Sequence, residues 1–297
     1  MPRPEPHEVN GLTGRRVLIT RNADRARPLA SLLSELGAEP LLLPLIDFER
    51  AGDQAPLDAA LDQLMAGGFD WLVISSITTV RVLLEKAAQR GMALADLVPS
   101  GTKVATIGPS SRKVIESVGL TVALAPADVQ SAEGLLAVWE SSQEWEASQE
   151  RVFLPQADIA AAGLRDGLAA SGAEVTSVVA YRTVDYPAPA ELRLTAELPS
   201  GVVSPTDAPV TLSPEDARAA LDAGTVDAVV AASPSAARRI AATLLPLGTC
   251  RLIAIGRPTA AEASRIGLTV AGTAKVPTPD GIVAALESVF ANEGNSQ

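Results

Sequence analysis

The strongest constraint on this chain is that it repeats itself in three blocks that recur in order. Arg16-Val17-Leu18-Ile19 returns as Arg151-Val152-Phe153-Leu154, and Gly37-Ala38-Glu39 returns at the same offset as Gly172-Ala173-Glu174. Asp70-Trp71-Leu72-Val73 returns as Asp227-Ala228-Val229-Val230, with Ser76 matched by Ser233. Ile107-Gly108 returns as Ile255-Gly256, and Gly119-Leu120-Thr121-Val122 is repeated letter for letter from Gly267 to Val270. Each copy reads strand-helix-strand, strand-helix, then strand-helix-strand-helix. Parallel strands need long crossovers, and those crossovers are right-handed. The alternation therefore predicts an α/β protein of two doubly wound parallel-sheet domains.

Composition agrees. A chain of 297 residues exceeds the usual single domain, and its 47% hydrophobic content can fill two cores. With 3% aromatics, small and β-branched side chains must do the filling, as they do when helices cover both faces of a parallel sheet. Runs such as Val17-Leu18-Ile19 are strand-length, far below the roughly 20 residues of a membrane span. Ser213-Pro214-Glu215 and Thr278-Pro279-Asp280 each set an N-cap before a proline at the first helical position. Residues 41–48 and 175–184 are the second strands of the two copies and candidates for crossing between domains. Residues 187–208, rich in Pro, Ala and Thr, read as an insertion or connection with weak order.

Several chemistries are disfavoured. The net charge of −11 argues against a nucleic-acid or anionic-membrane surface, which needs a basic field. Cys250 is the only cysteine and lies in an apolar segment, so no intrachain disulfide or cysteine metal site is expected. His7, the only histidine, sits in a polar leader, a poor place for a catalytic triad or a metal ligand. The leader has no apolar segment of the secretory kind, and a cytoplasmic protein is expected.

In an open α/β sheet, ligands bind beyond the carboxyl ends of the strands, where helix N-termini present unpaired N–H groups. Four strand-to-helix turns have suitable residues: Ser75-Ser76-Ile77-Thr78, Gly108-Pro109-Ser110-Ser111, Ser233-Pro234-Ser235 and Gly256-Arg257-Pro258-Thr259. They form two matched pairs. Were the two halves to face each other, these helix ends would line a cleft suited to anions. They also serve as ordinary helix caps, and composition leaves both readings open. No turn carries a dinucleotide glycine pattern or a Walker lysine. Thr20-Arg21 closes the first strand, where Arg21 is either a carboxylate fork or a solvated charge. Tyr181 stays protonated at neutral pH, so it either donates to a leaving hydroxyl or packs with a wet tip.

From about Arg15 to Leu286 these pieces, in this order and spacing, resemble uroporphyrinogen-III synthases. The residues that carry the resemblance are Val17-Leu18-Ile19-Thr20-Arg21, Gly172-Ala173-Glu174 leading to Tyr181, Ser233-Pro234-Ser235, and Ile255-Gly256 through Thr259. The resemblance implies two α/β domains joined by a two-stranded antiparallel linker. One domain comprises residues 1–43 and 187–297 and the other 51–174, with linker strands at 44–50 and 175–186. Strand 17–20 should then lie beside 227–230 or 252–255. The implied reaction converts hydroxymethylbilane, a linear tetrapyrrole with eight carboxylates, to uroporphyrinogen III with ring D inverted and water lost. It needs no metal or organic cofactor; no nucleic-acid or membrane partner is expected, and a monomer is expected. Tyr181 matches the family's proposed proton donor, and Thr20, Ser76, Ser111, Ser233, Ser235 and Thr259 match its polar cleft positions. Arg21, Gly108, Gly256 and Arg257 join them as candidate substrate-binding residues from their places at the strand-to-helix turns. Gln156 and Ala161 stand where relatives commonly carry arginine. A non-enzymatic two-lobed binder or sensor of a small anion is the rival reading, since such proteins share this architecture.

Overall fold

A computed structural model describes residues 11–141, 150–198 and 209–294. His7 and residues 199–208 of the expected weakly ordered insertion lie outside them. The chain forms two compact units, the first from Met1–Asp47, Asp185–Pro187 and Val203–Gln297, the second from Phe48–Val184 and Ala188–Val202.

The chain opens with β1 (Arg16–Ile19), α1 (Ala23–Glu35) and β2 (Glu39–Leu42). It continues through β3 (Ile46–Arg50), α2 (Ala55–Met65), β4 (Trp71–Ile74), α3 (Ile77–Gln89), α4 (Leu94–Leu97), β5 (Lys103–Thr106), α5 (Pro109–Ser117), β6 (Val122–Leu124) and α6 (Ala132–Ser141). β7 (Arg151–Ala157), α7 (Gly163–Ala170) and β8 (Glu174–Asp185) follow. The C-terminal part holds β9 (Val210–Thr211), α8 (Pro214–Asp222), β10 (Ala228–Ala231), α9 (Pro234–Thr243), β11 (Arg251–Ala254), α10 (Arg257–Arg265), β12 (Val270–Thr273) and α11 (Pro279–Gly294).

One sheet has the order β12-β11-β10-β1-β2-β9 and the other β3-β8-β7-β4-β5-β6. Pairing is parallel from β12 through β9 and from β8 through β6. The sheets match strand for strand, β12-β11-β10-β1-β2 against β6-β5-β4-β7-β8, but not in chain order. Each unit joins the first block of one copy to the second and third blocks of the other. β1 accordingly lies beside β10, with Val17 opposite Ala228.

Alternation along each strand sends side chains to opposite faces, and both faces are covered. In the first sheet Val17, Ile19, Val230 and Ile253 enter one core, while Leu18, Leu41, Val229 and Leu252 enter the other. In the second, Leu72, Ile74, Val104 and Phe153 face one core, and Trp71, Val73, Ala105 and Val152 the other. Trp71 stacks at a tilt on Trp139 with ring centroids 4.7 Å apart. The glycines kept in both copies, Gly119 and Gly267, have φ of 90° and 84°, a left-handed helix ending that a Cβ would strain.

One aspartate in each unit ties together strands from distant parts of the chain. The Asp70 carboxylate accepts the Arg151 N–H at 2.8 Å and its guanidinium at 3.0 Å. The Asp227 carboxylate accepts the Arg16 N–H at 2.8 Å and the Arg15 guanidinium at 2.7 Å. Backbone bonds repeat as well, Asp70 N–H to Arg151 O at 2.9 Å and Asp227 N–H to Arg16 O at 3.0 Å.

Three expectations change. Residues 41–48 form two strands, because Pro44 has no N–H to extend the β2 ladder and the chain turns before β3. β8 is no free-standing linker strand over its first part, since Glu174 to Tyr181 pair with β7. The described part of the expected weakly ordered segment is packed, with Leu194 and Leu198 buried in the core of the second unit. Glu85 holds it there by accepting the N–H groups of Thr195 at 2.6 Å and Ala196 at 3.1 Å, and Arg50 at 3.0 Å. Burial alone would raise the Glu85 carboxyl, but those three donors outweigh it and hold it below its ordinary value.

The Asp70 clasp is testable. The Arg151 hydrogen bond holds the Asp70 carboxyl below the usual aspartate range. A depressed folded-state value contributes stability above the unfolded value near 3.9, and that stability is lost as pH falls through the folded one. Asp70→Ala should cost about 1–2 kcal/mol at pH 7, because the charged hydrogen bonds are partly screened by solvent. In urea denaturation the gap to wild type should begin to narrow below about pH 4 and go on narrowing as pH falls through the folded value. A gap that does not change with pH would assign the loss to packing.

Candidate functional site

Because the strands from β12 through β9 and from β8 through β6 are parallel, their carboxyl ends lie along one edge of each sheet, and the strand order reverses direction at β1/β10 in one unit and β4/β7 in the other. Side chains and helix starts beside such a reversal point are where open α/β sheets hold ligands. The first unit brings Thr20-Arg21 after β1, Ser233 after β10 and Gly256 after β11 to that edge. The second brings Ser76 after β4, Gly108 after β5 and Gln156 near the end of β7. Tyr181 stands in β8 opposite Ala157, the last residue of β7, and so belongs to the same edge.

The four turns all begin helices, by two different means. Ser76 caps α3 by accepting the Thr78 N–H at 3.2 Å, and Ser233 caps α9 by accepting the Ala236 N–H at 3.1 Å. The Ser235 hydroxyl lies 2.9 Å from that of Ser233. At α5 and α10 the N-caps are Gly108 and Gly256, and neither helix receives a side-chain cap. Ser111 lies half-buried in the first turn of α5, and Thr259 is buried in that of α10. Arg257 is exposed at the first position of α10.

Thr20 is buried, and its hydroxyl donates to the Val230 carbonyl at 2.7 Å, which holds β1 against β10 at the reversal point. Arg21 is half-buried and makes no ion pair among the described residues. Burial, then the neighbouring Arg25, lowers its guanidinium from the ordinary value. Tyr181 is 5% exposed, and its ring meets Phe48 edge-on with centroids 5.6 Å apart. Gln156 is buried beneath the equivalent edge of the second unit, with the Ser177 hydroxyl 3.4 Å from its amide oxygen. An arginine in that place would bury a charge, whereas Ala161 is exposed.

Sequence reasoning missed Lys275, two residues beyond β12, which lines a cavity with Arg257. A lone lysine after a strand carries no motif, and only its missing partner marks it. Among the described residues no three His, Cys, Asp or Glu side chains gather as a metal site requires. Burial, with Asp227 second, pushes the Cys250 thiol up to about 12, which leaves it an unreactive packing group at neutral pH. No helix of the described residues is long and apolar enough to cross a membrane.

The two glycine N-caps differ in surroundings. A Cβ on Gly108 would stand 2.9 Å from Gln130 Cγ and 3.1 Å from its Cβ, whereas on Gly256 the nearest atom is Pro258 Cδ at 3.9 Å. Gly256→Ala should therefore cost only the lost N-cap preference, about 0.5–1 kcal/mol. Gly108→Ala should lose about 1–3 kcal/mol more through the overlap. Thermal unfolding of the two variants side by side checks the order, and equal losses would contradict it.

The chain resembles known proteins both in sequence and in fold. The family model described as uroporphyrinogen-III synthase HemD matches residues 27–284. A porphyrin biosynthesis protein HemD of Ruminiclostridium josui is 25% identical over 172 residues, 58% of this chain and 32% of that protein. A uroporphyrinogen-III synthase of Synechococcus elongatus is 28% identical over 108 residues, 36% of this chain and 39% of that protein. The chain thus spans only about a third of the length of these curated relatives. In three dimensions it is similar to a crystal structure of a mutant uroporphyrinogen III synthase of Thermus thermophilus. The TM-score is 0.54 and the identity 17%, over 94% of this chain and 100% of that one. It is also similar to uroporphyrinogen-III synthetase of Helicobacter pylori, with a TM-score of 0.51 and 15% identity over 93% of this chain and 99% of that one. These likenesses carry the fold, two α/β sheets of parallel strands, while the family follows from the model match. Matched from residue 27 to residue 284, this chain belongs to the uroporphyrinogen-III synthase HemD family.

Proposed function

We propose that this protein cyclises hydroxymethylbilane to uroporphyrinogen III, with inversion of ring D and loss of water, as a step of haem biosynthesis in the cytoplasm. The observation that carries the reading is the family match, which spans the Ser76, Gly108, Ser233 and Gly256 turns at the carboxyl ends of neighbouring parallel strands. The substrate's eight carboxylates need anion seats, and helix N-termini supply them without formal charge in a chain of net charge −11. Arg21, half-buried and without an ion pair among the described residues, supplies a formal positive charge at the edge of the first unit.

The chemistry asks little of acid–base side chains. A pyrrole nitrogen lone pair expels the terminal hydroxyl, which leaves as water once protonated, and an electrophilic azafulvenium remains. The substituted carbon of ring D attacks it to give a spiro intermediate. Fragmentation and reclosure at the free position, with loss of a proton, deliver the inverted ring. The protein's task is to bring the substituted carbon within reach before the uncatalysed closure to the uninverted isomer occurs. Tyr181 is the proposed donor to the departing hydroxyl, its ring fixed by packing on Phe48. The segments 44–50 and 175–186 are proposed as the connection through which the two units adjust to substrate, and the protein is proposed to act as a monomer without a nucleic-acid partner.

Incubation with freshly made hydroxymethylbilane, followed by oxidation and separation of isomers, should give predominantly isomer III. Isomer I at the uncatalysed rate would refute the reading. Tyr181→Phe keeps the ring and removes one donor. If that donor contributes about 1.5–3 kcal/mol to developing charge, turnover should fall roughly 10- to 150-fold with KM little changed. Wild-type turnover would reduce Tyr181 to a packing residue.

A further inference from the structure

Arg257, Ala260, Thr273, Ala274 and Lys275 line a cavity of about 580 Å³ in the first unit. The Ala274 N–H donates to the Ala254 carbonyl at 2.9 Å, which carries the ladder past the ends of β11 and β12 and sets Lys275 beside the start of α10. Neither Arg257 nor Lys275 has an ion pair among the described residues. Neighbouring arginines behave otherwise: Arg238 at 2.7 Å and Arg265 at 2.8 Å both hold Glu262. No carboxylate lines the cavity. α10 begins there with Gly256 as N-cap and no side-chain cap, so its positive end adds to the two cations. Two positive side chains without ion pairs among the described residues thus line one cavity beside a helix start that has no side-chain cap, a setting that favours an anion. The cavity is large enough for a bulky substituent as well as its charged tip.

We propose that Arg257 and Lys275 together seat a carboxylate side chain of the linear tetrapyrrole, and that Lys275 is a binding residue for the reaction. The assignment rests on the function proposed above. The seat binds ground state and transition state alike, because the carboxylate takes no part in bond making. Its removal therefore raises KM and leaves kcat.

Steady-state kinetics of Lys275→Gln, Arg257→Gln, the double variant and Lys275→Arg at low and high salt test this, with circular dichroism verifying the fold. Each glutamine variant should raise KM roughly 3- to 10-fold with kcat within about two-fold, the size expected of a partly solvated charged contact. Lys275→Arg should restore KM, and the wild-type KM should climb with salt more steeply than that of the double variant. A double variant with wild-type KM and salt dependence overturns the seat. Equilibrium binding of uroporphyrin III, followed by its fluorescence, separates this from the fate of the proposed reaction. If the wild type forms no isomer III but binds uroporphyrin more tightly than the double variant, the seat stands and the synthase reading falls. Equal affinity of the two proteins, or no binding by either, removes the seat whatever the turnover.

Discussion

Everything at the candidate site depends on two carboxylates that face away from it. Asp70 and Asp227 stand just before β4 and β10 and each clasps the first N–H of a strand far off in sequence, Arg151 and Arg16 respectively. Between β4 and β7, and between β10 and β1, no short crossover sets the register, so a side chain must. Each aspartate carbonyl also accepts the first N–H of the next strand outward, from Lys103 and from Arg251, both at 2.9 Å. A single residue thus aligns three strands at the amino-terminal end. Parallel geometry carries that alignment about four residues along, to the edge where the helices start.

That geometry explains why the repeat survives as it does. A strand clasped by an aspartate can be supplied from either direction along the chain, because the clasp requires a register and not a connection. In one unit the β1 block comes before its partners, and in the other the β7 block comes after them. The chain therefore passes back and forth between units without disturbing either sheet, and each retains a reversal point of strand order. The helix starts beside these points can diverge in detail while their positions stay fixed. Serine caps at α3 and α9 satisfy their own helices, whereas glycine caps at α5 and α10 leave the first N–H groups without a side-chain partner. Only the latter two are open to a ligand without first displacing a cap.

The two units have also diverged in charge. At the edge of the first, Arg21, Arg257 and Lys275 lack ion pairs among the described residues, while the corresponding strand end of the second presents the buried Gln156. Tyr181, packed on Phe48, stands at the carboxyl edge of the second unit.

Periodicity and internal repetition determined, by themselves, the α/β class, the matched strands and the four helix starts, because apolar runs, N-cap serines and helix-ending glycines act over a few residues. Ser76 and Ser233 were legible as caps for that reason, and Cys250 as a buried thiol. What only the tertiary structure decided depends on contacts between distant residues. The aspartate clasps join positions 81 and 211 residues apart, and Glu85 holds a segment 110 residues away that composition alone marked as loose. Thr20, a candidate substrate-binding residue in the sequence, proved to donate its hydroxyl to the Val230 carbonyl, whereas Lys275, which carries no motif, proved to share a cavity with Arg257. A sequence names the groups a residue carries. Whether each is already satisfied is settled only when folding brings the rest of the chain against it, and an unsatisfied charge is what marks a site.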